Sequence, residues 1–133
     1  MAGKCAPYVL DNGLVSLKNL ATHIYICSQE PVDYASATTT YALGNMNFGA
    51  GNAMTGPTDR GTNTGVAPWA GRQCTTVAVT SGTVTGTGTA TRWAIVDSVN
   101  SRLLVDNDLA ASQAVTAGNV WSVPAFSFGI PGS

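Results

Sequence analysis

The run from Thr83 to Asp108, TVTGTGTATRWAIVDSVNSRLLVDND, constrains this chain more than any other stretch. Thr83, Thr85, Thr87, Thr89, Thr91, Trp93 and Ile95 share one parity and therefore one face of a strand. Val84, Gly86, Gly88, Ala90, Ala94 and Val96 share the other. Asp97-Ser98-Val99-Asn100-Ser101 is a polar turn cluster. Leu103-Leu104-Val105 then returns as a second apolar run and stops at Asp106-Asn107-Asp108. The pattern predicts a β-hairpin, and the rest of the chain must be organised to cover it.

A chain of 133 residues reads as a single domain spanning 1–133. It can bury about two-thirds of the surface its unfolded form exposes. Charged residues make up only 10% of it, against about 25% in ordinary soluble domains. Its surface must be built from Thr, Ser, Asn, Gly and backbone. That suits a subunit packed against neighbours in an assembly, and equally a Thr-rich β-domain that is simply neutral. The formal net charge is −1. Lys4, Lys18, Arg60, Arg72, Arg92 and Arg102 are scattered, whereas binding nucleic acid by counterion release needs clustered cations. No nucleic-acid partner is expected. No run approaches the ~20 apolar residues of a membrane span, so no membrane role is expected either.

The cysteines are Cys5, Cys27 and Cys74. An odd count at irregular spacing is no disulfide framework and suits a reducing cytoplasm. A Cys5–Cys27 bridge is left open by the spacing. The N-terminal residues MAGKCAPYVLDNG lack the apolar core of a signal peptide.

Along the chain, Pro7 to Ala21 predicts the one helix, with Leu10, Leu14 and Leu17 at i, i+4, i+7 and Ala21 continuing the stripe. Pro7 suits a first helical position. Gly13 costs up to ~1 kcal/mol relative to Ala, so the apolar face must dock on a sheet. Thr22 to Ser28 predicts a strand with Ile24 and Ile26 on one side and His23, Tyr25 and Cys27 on the other. Pro31 ends it. Asp33–Ser36 reads as one helical turn. Thr38 to Phe48 reads as a weaker extended segment.

Residues from about 49 to 71 read as a long irregular loop, and such loops are usually functional or disordered. Met54 and Trp69 on it either fold back on the core or meet a partner. Fold-back is favoured for Trp69 and a partner for Met54. The candidate protein-interface residues are Phe48, Met54, Arg60 and Trp69.

Arg72 to Thr80 predicts a strand with Val77 and Val79 on one face, and Ser81-Gly82 a turn. Gln113–Thr116 and Val120–Ile130 predict a last strand pair joined by a turn at Ala117–Asn119, with an edge or a bend at Pro124. Short strands with turn signals this frequent predict a mainly β fold: an antiparallel β-sandwich or barrel with one N-terminal helix packed on it.

No catalytic, cofactor-binding or metal motif is expected. His23 is the sole histidine, and Cys27 stands about 13 Å from it by strand rise, too far to share a metal or a proton. Gly86-x-Gly88 is followed by Thr91 and a strand, not by the third glycine and helix of a dinucleotide site. Asp106-Asn107-Asp108 opens like a calcium loop, but Ala111 and Ala117 occupy the positions that need Gly and Glu. The dispersed carboxylates single out no acid/base pair. The chain reads as a non-enzyme.

The order of elements resembles a group of small virion proteins of tailed bacteriophages. The resemblance lies in LATHIYICSQEP, YASATTTYALGNMNF, GRQCTTVAVTSGTVTGTGTATRWAIVDSVNSRLLVDN and SQAVTAGNVWSVPAFSFGIPG. It implies a structural role: a capsid decoration (cement) subunit on the head, or another head or tail component. Expected partners are the major capsid protein and copies of the chain itself, a trimer being the closed cluster that matches local capsid axes. The expected location is the virion surface after assembly in the bacterial cytoplasm. The alternative expectation is a receptor- or glycan-binding β-module of a tail or fibre, with Trp and Tyr as stacking platforms.

Overall fold

A computed structural model describes residues 7–49, 51–59 and 71–130. Helix α1 spans Pro7–Leu20. Among the described residues nine strands follow: β1 His23–Cys27, β2 Ala42–Asn47, β3 Met54–Asp59, β4 Arg72–Thr76, β5 Val79–Val84, β6 Gly88–Asp97, β7 Arg102–Val115, β8 Val120–Val123 and β9 Ser127–Ile130. Six form one curled sheet in the order β7-β6-β1-β2-β5-β8, and three form a small sheet in the order β3-β4-β9. Every pairing is antiparallel. The fold is mainly β with one N-terminal helix, a curled sheet facing a small second one.

The hairpin predicted from the Thr-rich run is present as β6 and β7. It is shorter at its start, because the chain leaves the strand at residues 85–87. Both faces of β6 are covered. Trp93 and Ile95 lie in the main core with Ile24, Ile26, Leu14, Val84 and Trp121. Ala94 and Val96 pack on the outer face with Cys27 and Ala37. That second layer exists because residues 34–40 coil over the sheet and end in a π-turn at Ser36–Thr40, where Tyr41 N–H donates to the Ser36 carbonyl at 2.9 Å. Asp33 caps the coil: its Oδ1 accepts from Ser36 N–H at 2.8 Å. The strand expected from Thr38 therefore begins only at Ala42.

Two predicted strands are each one path broken once. The strand predicted at Arg72–Thr80 is broken at Val77-Ala78, its second part running on as β5, and the one predicted at Val120–Ile130 is broken at Pro124–Phe126. The breaks lie side by side: Thr76 N–H donates to the Phe126 carbonyl at 2.8 Å, and Phe126 N–H donates to Thr76 Oγ1 at 3.1 Å. At this corner both strands switch sheets, as antiparallel sandwiches do. Val79 is buried, but Val77 is 37% exposed, so the two do not share a face. Ser81-Gly82 is no turn; it lies within β5 opposite Trp121. The expected last pair is also corrected. Among the described residues β8 pairs with β5, and β7 pairs with β6.

Helix α1 rests on the small sheet. Arg72 of β4 holds Asp11 with two bonds, Nε–Oδ1 at 2.6 Å and Nη2–Oδ2 at 3.3 Å, and also donates to the Pro57 carbonyl at 3.1 Å. Such two-point pairing fixes direction as well as contact.

The turn between β6 and β7 is held by Asp97, which is 1% exposed. Its carboxylate accepts from Val99 N–H at 3.0 Å, Asn100 N–H at 3.3 Å and Asn100 Nδ2 at 2.8 Å. The Asn100 side-chain bond leads the causes that hold its carboxyl below the usual value. A lowered folded pKa contributes stability at neutral pH and loses it as the pH falls through that value. Thermal unfolding followed from neutral pH to below about pH 4, where carboxylates protonate, is expected to show a falling midpoint. Asp97→Asn is expected to start lower at neutral pH and to fall less over the same range.

Candidate interaction surface

Four residues were expected at an interface, and the structure separates them. Met54 opens β3 and is 2% exposed, inside the main core. The expectation that it meets a partner is corrected: the loop predicted at 49–71 contains an edge strand, and that strand turns Met54 inward. Phe48 is half-buried against the same core, its N–H donating to the Thr22 carbonyl at 2.8 Å. Arg60 and Trp69 lie outside the described residues. The four therefore do not assemble into a site.

His23 is half-buried at the start of β1. Its Nδ1 lies 3.0 Å from Thr22 Oγ1, which lies 2.9 Å from Ser98 Oγ and accepts from Ser98 N–H at 2.9 Å. Burial lowers the imidazole pKa. The group ties β1 to the β6–β7 turn. Cys27 and Cys74 are buried free thiols. Burial pushes Cys27 up to about 11, and its Sγ–H donates to the Ala37 carbonyl at 3.4 Å. Neither thiol is activated as a nucleophile, which needs a depressed pKa.

The ion pairs of the chain carry no signal in the linear sequence. Arg92 on β6 binds Asp106 of β7 at 2.6 Å and Glu30 at 3.4 Å, and donates to Asp108 as well. Its side chain is 16% exposed. The Asp106 hydrogen bond is the first cause of the raised Arg92 pKa. Asp106 and Asp108, which looked like the opening of a calcium loop, are held by a guanidinium. The hairpin register carries the signal, since Arg92 stands opposite Asp108 and Ala94 opposite Asp106.

The remaining feature is a seam. β7 and β8 are the two outer strands of the curled sheet, yet only residues 116–119 separate them in the chain. That turn is pinned to the end of β5 and to the loop that leads into β6. Gly118 N–H donates to the Val84 carbonyl at 2.9 Å, Val84 N–H returns to the Asn119 carbonyl at 2.9 Å, and Ala117 N–H donates to Thr87 Oγ1 at 3.1 Å. From it the two edges diverge without pairing, among the described residues. Between them opens a cleft of about 490 Å³, lined by Trp93, Leu109, Val115, Trp121, Val123 and Phe126 among others. Trp93 and Phe126 floor it, their rings 4.6 Å apart at 45°. From Leu109 to Ser133 no residue is Lys, Arg, Asp or Glu.

These features define a class: a sheet protein with an incompletely closed curl whose two facing edges, Leu109–Val115 and β8, carry no charge. Comparison with protein-family models, with curated proteins and with solved structures finds no match.

Proposed function

We propose that this chain is a non-enzymatic structural protein of a bacteriophage virion, a capsid decoration (cement) protein on the outer surface of the head. The observation that carries the reading is the arrangement of charge. Arg92 binds three acids of its own subunit, and Arg72 binds Asp11. The stretches 73–91 and 109–133 hold no charged residue at all. Exposed Thr80, Thr83, Thr85, Thr87 and Thr89 lie on the first of them. Such a surface meets another protein through hydroxyls, backbone edges and small side chains. It has no fixed charges to desolvate, and desolvating unpaired charge is the costly part of burial. Many copies multiply such weak contacts into a large total. The resemblance to small virion proteins of tailed phages points the same way, to the major capsid protein and further copies of this chain as partners. Trp93 and Trp121 are each 7% exposed, so neither offers a free face for stacking a sugar.

The test is stoichiometry and position in the parent particle. Purified virions are expected to carry this chain in hundreds of copies, as extra density on the head lattice. A handful of copies confined to the tail would overturn the reading.

A further inference from the structure

Natural sheets blunt their edges with Pro, Lys, bulges or short length. Most edges here do so. β3 carries Pro57 and a register shift between Thr55 and Thr58. β8 and β9 have 4 residues each. β7 has 14. Its second half, Leu109–Val115, reads LAASQAV and has neither Pro nor any charge. The one blunting device is a bulge. Asp108 pairs with Arg92 and Gln113 with Ala90, so Leu109–Ser112 stand opposite Thr91 alone. Among the described residues the backbone of Leu109–Ser112 is left short of ladder partners, and Ala110, Ala111, Ser112, Gln113 and Ala114 are exposed.

We propose that Leu109–Val115 is a self-association edge, where a second copy of this chain pairs antiparallel about a two-fold axis at Ser112. The stretch is self-complementary in that register. Leu109 falls opposite the partner's Val115, Ala110 opposite the partner's Ala114, and Ala111 opposite the partner's Gln113. Apolar meets apolar, small meets small, and no ionised group opposes another. Asp108, the nearest charge, is already held by Arg92 and falls opposite the partner's Thr116. A charged strand would lose hydration here with nothing to offset it. Leu109 and Val115 both line the seam cleft, so the pairing extends its apolar lining across the axis. Joining backbone edges is a general mode of recognition. The contact is small, so the dimer is expected to be weak and reversible.

The inference concerns the isolated protein in solution, so it stands or falls separately from the capsid reading. Sedimentation velocity across a concentration series is expected to show a reversible monomer–dimer equilibrium. Ser112→Asp sets two carboxylates directly opposite each other at the axis, and Ser112→Lys two ammonium groups. Each variant is expected to weaken association by at least about tenfold. Mixed one to one, they are expected to form the heterodimer. Ser112 is exposed, so both variants should keep the wild-type circular dichroism and melting midpoint. A wild type that stays monomeric throughout the series overturns the proposal, as does a trimer. So does association that both charged variants retain, or a mixture that fails to recover it. A monomer would leave the cleft to a foreign strand or a small apolar molecule.

Discussion

Gly82→Val is expected to lower the thermal midpoint by about 10 °C, through a loss of about 3 kcal/mol. The reason is the place of Trp121. Its indole lies over two backbones that carry no side chain, Gly44 on β2 and Gly82 on β5. A Cβ at Gly82 would come within 2.3 Å of Trp121 Cε2, and one at Gly44 within 2.9 Å of Nε1. The ring cannot easily move aside. It is 7% exposed, and its Nε1–H donates to the Thr83 carbonyl at 3.2 Å. Shifting it breaks that bond and opens a void in the main core. Gly86→Ala is the matched control. A Cβ there meets Leu43 Cδ2 at 3.6 Å, ordinary contact distance, and is expected to change stability by less than about 1 kcal/mol. Differential scanning calorimetry on the pair separates the indole clash from any general cost of filling a glycine.

That contact also shows what the sequence could and could not express. Periodicity found the helix, β1 and the β6–β7 hairpin, because each has enough residues to display its repeat. Leu14, Ile24, Ile26, Trp93 and Ile95 are buried as their spacing required. Ser81-Gly82 read as a turn because glycine beside serine usually marks one. Here the glycine is the space an indole needs, and the residue that needs it lies far along the chain at Trp121. Met54-Thr55-Gly56-Pro57 read as loop for a similar reason. Gly-Pro punctuates a chain, but an edge strand tolerates proline, and β3 absorbs it in a register shift. The π-turn over the outer sheet face was hidden because Ala37 and its threonine neighbours carry no helical stripe of large apolar groups.

The proposed association edge carries no sequence signal for a different reason. Large isolated side chains such as Met54 drew the reading, because an exposed methionine would be wasteful. The surface that the fold leaves open is made of small ones: alanines, a serine and backbone. Small uncharged residues on an edge give no signal until the strand order is known, and only the order shows that β7 and β8 end the sheet.

Among the described residues the largest ion-pair cluster centres on Arg92, and removing that centre is the second large effect. Arg92→Met is expected to cost about 2–3 kcal/mol, less than the 3–5 typical of breaking a fully buried pair, because Asp108 and Glu30 reach solvent. Met keeps the stem that packs against the sheet and removes only the guanidinium. Asp106, 21% exposed, then loses its partner beside Asp108 and Glu30, leaving three acids with no cation between them. The arginine is not a perfect fit, since its Nε is buried without a hydrogen-bond partner. That cost is relieved on substitution and caps the net effect. Asp106→Asn in the Arg92→Met background is expected to recover about half of the lost stability, because one half-buried negative charge disappears with the positive one. Urea unfolding of the wild type, both singles and the double completes the cycle. If the double were as unstable as the sum of the singles, the cluster would be a surface coincidence. A coupling above about 1 kcal/mol makes it the electrostatic clasp of the hairpin. The bulge at Leu109–Ser112 begins immediately beyond Asp108, so the clasp also sets where β7 bows away from β6 before rejoining it at Gln113. Loosening it should speed hydrogen exchange in residues 105–108 before the rest of the sheet responds.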